Sequence, residues 1–184
     1  MKKTLSVIAV AALAGVLFLA LYRSKLPGGD SLDNYGTATW TPRVAELANE
    51  ICEDAETDRE KAEALYNWVI SEIEYDEEFE TAYQHFDADR TLDTRKGICF
   101  DISNLYAVLC RSQNIRCAVL DGYKRTDANM KHSWNRVCIE GVWFNLDLSY
   151  DTARRAKGKS LYGFHEVGSD CTAEDDDFVI TRIY

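Results

Sequence analysis

Three residues in this sequence have the types and surroundings for nucleophilic chemistry: Cys99, His132 and Asp147. A thiol is mostly protonated at neutral pH, and the thiolate is the nucleophile. Just after Cys99, Ile102, Leu105, Tyr106 and Leu109 recur at helical spacing. Cys99 is therefore expected in the first turn of a helix, on its inward side. The unpaired N–H groups and partial positive charge of a helix start favour the thiolate. Arg95 and Lys96 lie just upstream and act in the same direction, whereas Asp101 opposes them unless it points to solvent and caps the helix. The same N–H groups, that of Cys99 included, can receive a developing oxyanion.

A base and its orienting acid come from a second segment. Ser133–Ile139 and Val142–Leu148 read as strands flanking Glu140-Gly141, a two-residue hairpin turn. Such a turn makes the numbers of opposite residues sum to 281, so Trp134 faces Asp147 and His132 is diagonal to Asp147 on one face. Diagonal neighbours lie roughly 7–8 Å apart by backbone, within reach of an imidazole and a carboxylate. Val137, Ile139, Val142, Phe144 and Leu146 share the other face and would anchor the hairpin in the core. A base held by an acid and facing a helix-terminal cysteine is the arrangement that acyl transfer needs. Taken singly, each residue has a plainer reading: a structural cysteine, a surface histidine, an aspartate that ends a strand. His85 and His165 lack comparable context and read as surface residues.

The elements that must position these groups are legible around them. Pro42 opens a helix reaching about Ala55, with Val44, Leu47, Ala48 and Ile51 on one face. Thr57 and Glu60 have capping-box spacing before a stripe of Ala62, Leu65, Tyr66, Val69 and Ile73. Residues 76–93 read as a polar, irregular loop, and Asn114 as the left-handed end of the cysteine helix. Arg116–Gly122 then reads as a strand, and the acidic cluster Glu174–Asp177 as a solvated turn.

Met1-Lys2-Lys3 is followed by an 18-residue charge-free stretch from Leu5 to Tyr22, closed by Arg23 and Lys25. This is expected to be an uncleaved signal-anchor over residues 1–25, or else a cleaved signal peptide. A linker over 26–41 and one domain over 42–184 would follow, held outside the cytoplasm at a membrane, or secreted if the segment is cleaved. The chain carries −10 overall. Four of its basic residues and none of its acidic ones fall in the first 25, which leaves −14 beyond. That sign argues against nucleic-acid partners, whose phosphates demand the opposite one.

With Cys99 a free thiol, at least one other of the six cysteines is also unpaired. Cys110 and Cys117 could bridge a helix-to-strand turn, but reduced, core-filling roles are expected for most of the six. No Cys/His cluster has zinc spacing, so neither metal nor cofactor is expected.

These motifs resemble the transglutaminase-like superfamily. Gly97-Ile98-Cys99 opens the helix, His132-Ser133-Trp134 stands on one strand and Trp143-Phe144-Asn145-Leu146-Asp147 on the next. Asn67-Trp68-Val69-Ile70 and Tyr75-Asp76 resemble the family's lead-in, and the resemblance covers about Ala55 to Asp151. It departs from the family's usual pattern at Leu148-Ser149 and Asn114-Ile115-Arg116, where Pro-Thr and Gly-Ile-Pro are common. The resemblance implies a papain-like α+β fold, with the nucleophile helix packed on an antiparallel sheet or small barrel. It implies a thioester mechanism on a protein or peptide substrate, with Tyr75 a candidate oxyanion donor by motif position. Peptidase or amidase activity is the expectation. Glutamine–amine transfer and a catalytically inactive, membrane-tethered binding module are the alternatives.

Overall fold

The computed structural model describes residues 40–78 and 87–184. The proposed anchor and most of the linker, with His85, lie outside the described residues. Helix α1 (Pro42–Ile51) begins with proline at its first position and Thr41 as cap. It is shorter than the expected helix to Ala55. Helix α2 (Asp58–Glu72) has the expected capping box: Glu60 N–H donates to Thr57 Oγ1 and Thr57 N–H to Glu60 Oε2. Two short parallel strands, β1 (Glu74–Tyr75) and β2 (Lys96–Gly97), bracket helix α3 (Ala88–Thr94). The stretch read as irregular thus contains a helix, started by Asp87, whose carboxylate accepts from Asp89 and Arg90 N–H.

Helix α4 (Cys99–Ser112) is the centre of the molecule. Phe100 through Cys110 are all buried, as befits a helix covered all round. It contacts α1, α2, α3 and a five-stranded antiparallel sheet. Asn114 takes the left-handed conformation after it, at φ 63°. The sheet has the order β6-β5-β4-β3-β7, with β3 Cys117–Lys124, β4 Asp127–Ile139, β5 Val142–Leu146, β6 His165–Gly168 and β7 Phe178–Ile183. This helix-on-antiparallel-sheet arrangement is the expected α+β fold, as an open sheet. Helix α5 (Leu148–Ala156) starts directly after β5.

The β4–β5 register is the one that the two-residue turn dictates: Asn135 pairs with Leu146, Val137 with Phe144 and Ile139 with Val142. Glu140 and Gly141 both have positive φ, as a type I′ turn requires. Val137, Ile139 and Leu146 join the main core with the helices, and Phe144 packs against it. Trp134, Cys138 and Trp143 form a second apolar cluster on the other face, with Leu120 and Ala118.

The acidic cluster is not a solvated turn throughout. Asp175 is buried, its carboxylate accepting from Asp177 and Phe178 N–H and from Asn145 Nδ2. Fully buried Arg136 donates to the carbonyls of Cys171 and Ala173 and to Asn145 Oδ1. These bonds pin the 170s segment across the second face and lead it into β7. Gly122 admits β7 there, because a Cβ at that position would stand 2.2 Å from the Val179 carbonyl oxygen.

Candidate active site

Cys99 is the first residue of α4, as its sequence context predicts, and it is only partly buried. Asp101 reaches back to accept the Ile98 N–H at 3.0 Å, fixing the first turn. It caps the helix as anticipated, but from a buried position instead of from solvent. Gly97 explains itself here. A Cβ on it would lie 2.7 Å from the Asp101 Cβ, so a side chain cannot stand beside this cap.

The two upstream cations are already engaged. Arg95 lies 3.7 Å from Glu72 and over the Trp68 ring, and Lys96 lies 3.3 Å from the buried Asp76. The imidazole that interacts with Cys99 is that of His132. This histidine pairs across the sheet with Gly122, and its Nε2 meets Asp147 Oδ2 at 2.6 Å. Cys99 is near enough to act on the imidazole, helping to favour its protonated form. The His132–Asp147 contact is the one that the hairpin register anticipates, and Cys99 stands at the start of α4 near the imidazole. The His132 and Asp147 side chains are 18% and 19% exposed, so the pair is reachable from solvent.

Burial of His132 disfavours its charge. The hydrogen bond to Asp147, that carboxylate's charge and the nearby Cys99 outweigh burial and raise its pKa from 6.5 to about 10. An imidazolium is thus the stable form at neutral pH. Tyr75 pairs with Gly97 through the parallel β1–β2 ladder. Burial and the charges of Cys99 and Asp147 push its phenol up. No group of three or more His, Cys, Asp or Glu side chains among the described residues could hold a metal ion.

Several supports of the site were not anticipated. Asp147 ends β5 and caps α5: its Oδ1 accepts from Tyr150 N–H and Ser149 Oγ–H, both at 2.9 Å. Ser149, in the departure from Pro-Thr, thus buttresses the same carboxylate. Phe178 of β7 stacks on the His132 ring at 5.0 Å, and Trp134 lies on it at 6.1 Å. Asp151, fully buried one turn after Asp147, accepts from Tyr66 Oη–H at 2.6 Å and from Tyr162 and Gly163 N–H. Tyr66 stood on the expected stripe of α2. A cap at Asp147 would have placed Asp151 on the same helix. His165 is exposed, as expected.

The other cysteines are all free; Cys52, Cys110, Cys117 and Cys138 are buried and Cys171 partly so. Cys110 and Cys117 form no disulfide, the Cys117 thiol donates to the Ala118 carbonyl at 3.8 Å, and burial pushes the Cys110 thiol up.

Residues 45–148, over half of the chain, match the family model described as the transglutaminase-like superfamily. The chain is 28% identical over 133 residues to the human kyphoscoliosis peptidase, covering 66% of this chain and 20% of the relative. It is 28% identical over 116 residues to the mouse kyphoscoliosis peptidase, covering 57% and 18%. To hillarin of Drosophila melanogaster it is 25% identical over 115 residues, covering 53% and 13%. The chain thus spans about a fifth or less of the length of these curated relatives. Among solved structures it resembles a candidate cysteine protease from Cytophaga hutchinsonii, with a TM-score of 0.52 at 19% identity, covering 77% of this chain and 49% of that one. That likeness concerns the fold. The match over residues 45–148, with the cysteine helix packed on an antiparallel sheet, identifies this chain as a member of the transglutaminase-like superfamily.

Proposed function

We propose that this protein is a cysteine-dependent acyl-transfer enzyme, hydrolysing amide bonds in proteins or peptides outside the cytoplasm. The observation that supports this reading is the 2.6 Å contact of His132 with Asp147, near Cys99 at the start of α4. The Cys99 thiolate attacks the substrate carbonyl carbon, and the N–H groups at the start of α4 accept the oxyanion. The amide C–N bond breaks as the His132 imidazolium gives its proton to the leaving amine. A thioester on Cys99 remains. Water then loses a proton to His132, attacks the thioester and releases the acid and the thiolate. Asp147 holds the imidazole in orientation throughout. Related peptidases in mouse and human support this choice of chemistry.

Hydrolysis is favoured over amine transfer because the flank of the site is open, with Tyr150 and Tyr162 exposed beside Asp147. An amine-transferring enzyme gains from excluding water until the amine arrives. The excess negative charge draws lysine amines, but salt screens that pull beyond roughly 8 Å. The N-terminal stretch Leu5–Tyr22 is proposed to tether the domain to a membrane. Among the described residues no helix is long and apolar enough to cross one. The test of the reaction is product partition for one active peptide substrate with lysine methyl ester added at millimolar levels. Free acid is expected to predominate. Predominant isopeptide product would reassign the acceptor from water to an amine.

A further inference from the structure

A cavity of about 380 Å³ lies beside Asp147 and the two rings that stack on His132. Its walls include Trp134, Tyr150, Tyr162 and Phe178, with Leu146 and Asp147 beside them, and neither Cys99 nor His132 lines it. Phe178 and Trp134, the rings that stack on His132, also stack on each other at 5.0 Å. Tyr150 and Tyr162 are 48% and 39% exposed, large apolar surfaces left open to water. Their backbones are held in place. Tyr150 N–H is bonded to Asp147, and Tyr162 N–H to the buried Asp151.

Charge does not select the occupant. Asp147 is paired with His132, and Asp175 is occupied by Asn145 and backbone N–H groups. Asp177 and Lys124, of opposite sign, remain on the lining. Aromatic wall area decides instead.

The two rings that stack on the imidazole also wall the cavity, which relates it to one part of a substrate. The histidine of a thiol or serine acyl transferase passes its proton to the leaving amine, so that amine departs over the imidazole. We infer that this cavity is the leaving-group subsite, taking an aromatic or large aliphatic side chain on the amine side of the cleaved bond. The inference deepens the acyl-transfer reading and rests on it for the identity of the occupant, but binding tests it without turnover. Burying one such side chain improves binding by about tenfold or more over glycine.

The experiment uses the full chain carrying Cys99→Ala, titrated with phenylalaninamide, leucinamide, lysinamide and glycinamide. The readout is the Trp134 indole N–H resonance, identified by its loss in Trp134→Phe. Phenylalaninamide and leucinamide should bind at least tenfold more tightly than glycinamide and shift the Trp134 signal. Tyr162→Ala and Tyr150→Ala, at exposed positions, should each erode that preference. Equal binding of all four amides, a preference for lysinamide, or an unmoved Trp134 signal would overturn the inference. A selective cavity in a protein whose Cys99 no peptide acylates would keep the subsite and defeat the hydrolase reading instead.

Discussion

Asp147 divides its carboxylate between His132 and the start of a helix. One oxygen lies 2.6 Å from His132 Nε2, and the other accepts the Tyr150 N–H at 2.9 Å. The cap of α5 thereby orients the acid against the imidazole, and the two functions of one residue can be separated. Asp147→Asn keeps a good capping side chain but holds the wrong imidazole tautomer, so turnover should fall by on the order of 10⁴ with the fold retained. Asp147→Ala should lose the cap as well, costing about 0.5–2 kcal/mol of stability. Thermal unfolding and peptide turnover of the two variants check this. Near-normal turnover of Asp147→Asn would remove Asp147 from the mechanism.

His132 should titrate far above an ordinary histidine. Its pKa is raised to about 10, so its interactions with Asp147 and Cys99 stabilise the fold fully below about pH 6.5, and that stabilisation fades as pH rises through about 10. Imidazole NMR titration measures it directly. In Asp147→Asn the value should move down. A wild-type pKa at or below 6.5 would contradict the ion-pair geometry.

Gly97 should tolerate no side chain. Gly97→Ala drives a methyl into Asp101, and overpacking of this kind costs about 1–3 kcal/mol. Because Asp101 holds the Ile98 N–H, activity should fall with stability. If Gly97→Ala unfolds at the wild-type temperature with full activity, the first turn of α4 needs no such cap.

Cys99 should be the reactive thiol among six. Apart from it, only Cys171 is not fully buried, and burial pushes the Cys171 thiol up to about 11. Brief iodoacetamide treatment at neutral pH, followed by peptide mapping, should find the label on Cys99. Labelling of Cys171 with Cys99 silent would reverse the assignment.

The parts of the site that sequence carries are those set by local rules. A two-residue turn dictates the β4–β5 register, so Glu140-Gly141 alone relates His132 to Asp147. Helical spacing after Cys99 places it at the start of α4, and the Thr57–Glu60 box starts α2. The rest depends on long-range partners. Val142–Leu148 reads as one strand because the switch to helix at Asp147 has no apolar break. The strand stops when the Asp147 side chain takes over the Tyr150 N–H. The 170s read as solvated because their burial comes from Arg136, some 35 residues away. Without β7, Phe178 could not be placed on His132. Arg95 and Lys96 read as support for the thiolate, but folding directs them to Glu72 and Asp76.

The tether makes a separate prediction. Protease shaving of intact cells should release the domain, and high-salt washing should not. Full-length protein in the soluble cytoplasmic fraction would rule out the Leu5–Tyr22 anchor.

The central claim is that Cys99 carries the acyl group, and intact-mass analysis of the protein during turnover of a peptide library tests it most directly. A transient mass gain equal to the acyl fragment should appear, map to Cys99, and decay to free acid. It should be absent in Cys99→Ala, with turnover lost by on the order of 10⁶, and strongly slowed in His132→Ala. Peptide hydrolysis that survives Cys99→Ala, or an acyl adduct on any other residue, would contradict the account.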